Sequence, residues 1–317
     1  MAEIEKKILL AVDGSLHSRL MLDYVLRMRH HFPGLSCCLF HVQRDLPPLL
    51  VEEAEHDPEA RAQLKAISRR NEDHARRVLD DSLETLQRGG IAAGAIEAIF
   101  QPRSLGVARD IIIRAETMRF DAIVVGRRGL TGVQKLFIGS LTAKLCEHTE
   151  IVPVWVVDGE CRNDGFLVAV DGSANSLRAV DHLAFMVSGV PSVPITLLHV
   201  IPRFADHCEI DFEDTSGQAA AVLTRSDQRC LDRFAAKAAD RLKQAGLEPG
   251  SIDFKQVNRT TGIGRAILEI ARRQGLGTVV MGRRGSGGAF YHGRVAMKAA
   301  DFIDPEEQVG TPNYKPR

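Results

Sequence analysis

Leu9-Leu10-Ala11-Val12-Asp13-Gly14-Ser15 returns later in the chain as Leu167-Val168-Ala169-Val170-Asp171-Gly172-Ser173, an offset of 158 in a chain of 317 residues. Aligned at that offset, positions 8–18 and 166–176 share Leu9, Ala11, Val12, Asp13, Gly14, Ser15 and Ser18. The same offset carries Leu39, His41 and Val42 onto Leu197, His199 and Val200. Farther on, Gly126-Arg127-Arg128-Gly129 recurs as Gly282-Arg283-Arg284-Gly285, now at an offset of 156. Self-similarity over such a distance means two copies of one structural unit. The polar stretch 158–165 is the natural joint, giving expected domains of 1–159 and 160–317.

Within the first copy, Ile8–Val12 is a short apolar run suited to a strand buried on both faces. Ser15 and Ser18 are placed to cap a helix that follows to about His30. Leu35–Val42 reads as a second strand. Apolar residues at helical spacing from Asp57 to Arg88 predict a long helix that Gly89-Gly90 ends. Strands are expected at Ala95–Phe100, Ala122–Val125 and Ile151–Val157, with helices at Val107–Arg119 and Gly139–His148. This alternation predicts, in each copy, a mainly parallel sheet flanked by helices on both faces, a Rossmann-like α/β class.

Composition narrows the function. Lys+Arg and Asp+Glu both number 41, so no bulk charge favours nucleic acid or anionic membrane as a partner. Aromatics at 5% leave little for a base-stacking platform. No apolar run approaches the ~20 residues of a membrane helix. The first residues form no signal-peptide core, and the six cysteines form no CxxC pair. A reduced, cytoplasmic protein is the expectation.

Ligands of open parallel sheets sit at the carboxyl ends of the strands. Two segments of the first copy suit that place. Asp13-Gly14-Ser15 follows the first strand, and Asp13 can accept from a ribose or base or help hold a divalent cation. After the fourth strand come Gly126 and Gly129, nine intervening residues, and Gly139-Ser140 opening a helix. Glycines allow backbone to approach a bulky anion, and a helix start offers free N–H groups and partial positive charge to phosphate. Ser140 and Thr142 add hydroxyls; Arg127, Arg128 and Lys135 add charge. Neither a P-loop nor a complete GxGxxG is present, since Gly262-Ile263-Gly264 lacks its third glycine.

With Val12-Asp13-Gly14-Ser15, Val42 and Gly126-x2-Gly129-x9-Gly139-Ser140, each half of the chain resembles the universal stress protein (UspA) family, in its tandem form. The resemblance implies a five-stranded sheet in the order 3-2-1-4-5, which sets strands one and four side by side. It implies a regulatory stress-response role with bound ATP and Mg²⁺. Asp13 and Val42 would hold the nucleoside, and Gly126, Arg128, Gly129, Gly139, Ser140, Leu141 and Thr142 the ribose and phosphates. It further implies pairing through Ile151–Val157, within a homodimer or between the domains.

The second copy departs from the pattern. Asp171, Val200, Gly282 and Gly285 have counterparts, but only seven residues separate Gly285 from Gly293, and Arg294 replaces the serine. Arg294 either holds a phosphate bidentately or fills its pocket. The tail from Phe302 to Pro312 is no strand, so the second domain is expected to lack a normal fifth strand and to carry a degenerate site. Against the nucleotide reading stands a tandem scaffold that acts only through protein association. An adenylating or thiolating enzyme is disfavoured, because Asp13-Gly14-Ser15-Leu16-His17-Ser18 is not an SGGxDS-like loop. No paired nucleophile and general base stands out, leaving at most a slow ATPase. Cys37-Cys38 read as buried apolar residues, His41 and His199 as structural or pocket-lining, and Asp206-His207-Cys208-Glu209 as loop.

Overall fold

The computed structural model describes residues 4–127, 139–159, 161, 163–201, 218–258, 263–284 and 290–300, with side chains except at 218–227, 258, 283, 284 and 290–300. The first half runs β1 (Lys6–Ala11), α1 (Leu16–Met28), β2 (Leu35–Val42), α2 (Pro48–Glu53), α3 (Pro58–Arg88), β3 (Ile96–Gln101), α4 (Val107–Thr117), β4 (Ala122–Gly126), α5 (Ser140–His148) and β5 (Val154–Asp158). The second runs β6 (Phe166–Ala169), α6 (Ala174–Met186), β7 (Ile195–Ile201), α7 (Gln218–Gln244), β8 (Ile252–Asn258), α8 (Ile263–Arg273), β9 (Thr278–Arg284) and β10 (Phe290–Ala300).

All strands join one sheet in the order β3-β2-β1-β4-β5-β10-β9-β6-β7-β8. The first five are parallel and take the expected order 3-2-1-4-5. The second half repeats the first four as β8-β7-β6-β9, also parallel. Among the described residues its fifth parallel strand is missing, as the sequence predicts. In that place lies β10, antiparallel to β9 and parallel to β5 of the other half. Residues 301–317, the tail read as non-strand, lie outside the described residues.

Local sequence explains where elements begin and end. Asp57 caps α3 by accepting from the amides of Glu59 and Ala60, Pro58 occupies the first turn where no donor is needed, and Gly89 closes the helix. The predicted long helix thus keeps its bounds. α2 was not foreseen: Pro47-Pro48 reads as loop chemistry, yet Pro48 sits at a helix start, where its fixed φ is favourable. The fifth strand starts three residues later than expected, because Pro153 stands before Val154 and cannot donate to a ladder.

β1 is flanked on both sides, so every second side chain enters a different core. Ile8, Leu10 and Val12 pack under α1 and α3, while Leu9 faces Ile111, Ile123 and Leu145. The first of these layers is continuous through both halves, with Phe32, Trp155, Phe166 and Leu183 in one cluster. Phe32 stacks obliquely on Trp155 at 5.4 Å between ring centroids. Burial on this scale, at ~25 cal/mol per Å² of apolar surface, is the main force holding the halves as one body. Lys6, 1% exposed, donates from Nζ to the Ser188 carbonyl at 3.0 Å, and Tyr24 shares a hydrogen bond with Thr278 at 3.2 Å. Among the described residues no helix is long and apolar enough to cross a membrane.

Candidate functional site

β1 and β4 are hydrogen-bonded neighbours, so the two turns singled out by the sequence open at the same sheet edge. There the order of strands reverses, where α/β sheets leave a crevice. The crevice has a volume of about 1320 Å³ and is lined by the carboxyl ends of β1, β2 and β4 and by the starts of α4 and α5. It is ample beside the ~300–1,000 Å³ of ordinary small-molecule clefts.

The turn after β1 is built from three linked contacts. Asp13 accepts from the Ser15 amide at 3.0 Å, Gly14 adopts φ +76°, and Ser15 accepts from the Ser18 amide at 3.2 Å to cap α1. A Cβ at Gly14 would lie 3.0 Å from the Val78 side chain of α3, so the glycine is required by both conformation and space. The structural role of this turn is therefore present, and Asp13 also lines the crevice. Val42 ends β2 at the crevice wall, beside His41. The Nδ1–H of His41 donates to the Val12 carbonyl at 2.8 Å, which leaves Nε2 as an acceptor. Burial lowers the His41 pKa, the Val12 carbonyl partly opposing this, so the ring is neutral at pH 7.

On the β4 side, a Cβ at Gly126 would fall 2.6 Å from the His17 carbonyl, so only glycine lets α1 cross there. The Gly126 carbonyl accepts from the Thr142 hydroxyl at 2.9 Å. That contact ties β4 to α5 and commits the hydroxyl that the sequence offers to phosphate. Gly139 is the N-cap of α5 with extended backbone and no side-chain cap, so the first amides of the helix face the crevice rim beside Ser140 and Leu141. Arg127 is turned differently from the sequence expectation: its guanidinium pairs with Asp158 at the end of β5, and its amide bonds to Val157. Arg128, Gly129 and Lys135 lie outside the described residues.

The structure adds lining residues that sequence reading passed over. His74 of α3 faces His41 edge-on at 6.1 Å between ring centroids, one helical turn before Val78. Lys144 follows Ser140 by one turn on the same face of α5, and Arg44, Arg103 and Arg109 join the wall, Arg103 paired with Asp45 at 2.9 Å. Helical periodicity from Val78 and Ser140 could have flagged His74 and Lys144. Arg44 and Arg103 sit in strand-end loops and gave no such signal.

The second half keeps the first turn and changes the second. Asp171 accepts from the Ser173 amide at 3.0 Å, Gly172 takes φ +78°, and Ser173 caps α6. His199 repeats the His41 contact, to the Val170 carbonyl at 2.8 Å, and Val200 is buried near the end of β7. A Cβ at Gly282 would meet Asn175, the counterpart of His17. Beyond Gly282 the parallel ends: β9 continues to Arg284, and Gly293 and Arg294 are part of β10. They do not open a helix as Gly139-Ser140 does. Gly285 and the Asp206–Asp211 stretch lie outside the described residues, as does the Arg294 side chain on which the two phosphate readings turn.

The universal stress protein family profile matches residues 5–158 and again 163–300. No curated protein matches the chain. Among solved structures, a universal stress protein from Archaeoglobus fulgidus is similar in fold over 92% of this chain and 97% of its own, at 18% identity and a TM-score of 0.58. A functionally unknown protein from Pseudomonas aeruginosa covers 93% and 92%, at 12% identity and a TM-score of 0.54. An Arabidopsis thaliana protein of the same family, solved with AMP bound to it, aligns with 48% of this chain and 90% of its own, at 21% identity and a TM-score of 0.32. Matched in both halves by one family profile, this chain belongs to the universal stress protein family.

Proposed function

We propose that the chain is a regulatory, nucleotide-binding stress protein that takes ATP in the first-half crevice, as two domains, 1–159 and 160–317, working in the cytoplasm. The observation that carries this reading is the meeting of Asp13, Gly126 and the uncapped start of α5 at one crevice between β1 and β4. A helix start supplies amide donors and partial positive charge, Ser140 a hydroxyl, and Lys144, Arg44 and Arg109 cationic walls. The donor set fits a polyphosphate. Asp13 is the carboxylate available to a Mg²⁺ accompanying it, and Val42 and His41 line the end suited to the nucleoside. Arg128 and Gly129 belong to the same reading. In the second half, Asp171, Val200, Gly282, Gly285, Gly293 and Arg294 form the weaker site, because the helix start is replaced by β10. The reading assigns the nucleotide the part of a ligand, held rather than rapidly consumed.

Protein purified without added nucleotide and then denatured should release adenine nucleotide, near one equivalent per chain. Calorimetry with Mg²⁺-ATP should show binding; none at millimolar ATP would defeat the proposal. A second reading, a scaffold that works through association, draws on the cross-half pairing of β5 with β10. With β4 on one flank of β5 and β10 on the other, pairing through Ile151–Val157 joins the two halves, and a homodimer, read by mass in solution, would use another surface.

A further inference from the structure

At the sheet edge away from the crevice, α1 ends in a 3-10 turn, Arg29–His31, and the chain between β5 and β6 passes beside it. There His30, His31 and Asp164 each offer one ligand atom, all within 4.8 Å of one another. We propose that these three side chains bind a divalent transition-metal ion of the zinc type, which ties the end of α1 to the joint between the two halves.

Three features carry this beyond proximity. His31 is only 6% exposed, and neither of its ring nitrogens has a hydrogen-bond partner. Burying an imidazole without partners is unfavourable, and a metal–nitrogen bond would satisfy the ring's lone pair. His30 is oriented for ligation: its Nδ1–H donates to the Arg27 carbonyl at 2.8 Å, an outer contact that leaves the Nε2 lone pair facing Asp164. Nε2 of His30 and Oδ2 of Asp164 are 3.5 Å apart. A tetrahedral ion with bonds of ~2.0–2.2 Å sets neighbouring ligand atoms ~3.3–3.5 Å apart, so this pair is already spaced for one. Arg27 meanwhile donates to the other Asp164 oxygen at 2.9 Å and fixes the carboxylate plane.

Two imidazoles and a carboxylate suit zinc, cobalt, nickel or copper and not the all-oxygen preference of magnesium or calcium. Because His30 and Asp164 reach solvent, water can complete the shell. The ion would join Arg27–Asp164 and the His31–Phe166 ring contact, at 6.0 Å between centroids, in holding the joint.

The test uses full-length, tag-free protein stripped with chelator and titrated with zinc chloride in a metal-buffered solution, with Co²⁺ as a spectroscopic probe. One zinc per chain, intense visible cobalt bands of a tetrahedral site, and a melting temperature raised by about 5 °C or more at hundredfold excess over Kd are expected. His30→Ala alters an exposed group and Asp164→Asn a half-buried one at nearly constant volume, so both should fold, judged by native Trp155 emission, yet lose the zinc shift and the cobalt bands. His31→Asn should lose them too, but its burial makes it the less clean variant. Retention of no zinc from micromolar free metal by wild type, or undiminished binding in both His30→Ala and Asp164→Asn, overturns the site. The two proposals separate, because the ATP crevice lies at the opposite ends of the strands and needs none of these residues.

Discussion

The indole Nε1–H of Trp155, on the last strand of the first half, donates to Nε2 of His182, on the first helix of the second, at 3.0 Å. Burial holds the His182 pKa down at about 4, so the ring is neutral and able to accept. In the unfolded chain the same ring titrates near 6.5. The unfolded state therefore takes up the proton first as pH falls, and stability is full above pH 6.5 and declines down to about 4. The loss over that window is about 3 kcal/mol. Urea unfolding followed by Trp155 emission should show it, and His182→Gln should flatten the dependence.

Gly139→Asp separates binding from folding. The N-cap backbone at Gly139 is extended, with φ −59° and ψ 147°, and aspartate is a favoured N-cap. The variant should melt at or above the wild-type temperature while its affinity for Mg²⁺-ATP falls at least about tenfold, through like-charge repulsion at the phosphates. Equal ATP affinity would remove α5 from the site.

Gly126→Ala acts by a different route. Its Cβ would sit 2.6 Å from a backbone carbonyl of α1, which cannot swing aside as a side chain can. A destabilisation of about 1–3 kcal/mol is expected from chemical denaturation.

Tyr24→Phe removes one side of a buried hydrogen bond across the halves. Thr278, fully buried, is left without that partner. The expected decrease is about 1–3 kcal/mol in unfolding free energy. Phe retains the ring and its packing, so a larger loss would mean that more than the hydroxyl contact was disturbed.

Cys37 and Cys38 are buried, and burial pushes both thiols up to about 12. Native protein at pH 8 should leave them unmodified by a thiol reagent while exposed Cys230 reacts, and denaturant should release both.

The first copy was legible because its signals are local. Asp13-Gly14-Ser15 demands a left-handed residue and a cap within one turn, and Gly126 marks a close crossing, so both survive translation from sequence to fold. Arg127 was misjudged because its partner, Asp158, is 31 positions away and becomes a neighbour only once β4 and β5 are paired. Gly293-Arg294 aligned by glycine with Gly139-Ser140, but a glycine marks freedom, not helix, and the segment is a strand. β10 itself was invisible: Phe290–Ala300 has little period-two alternation, and its two partners come from different halves. The metal ligands His30 and His31 are adjacent in sequence, with no spacing that announces a site, and Asp164 joins them only through the tertiary fold.

β10 is claimed on both flanks, by β5 and by β9, so neither copy of the unit ends where its own sequence ends. A fragment stopping at residue 158 would present β5 as a naked edge, and one beginning at 163 would carry a strand with nothing on one side. Among the described residues the two copies thus share a single sheet, with β3 and β8 as its bare margins.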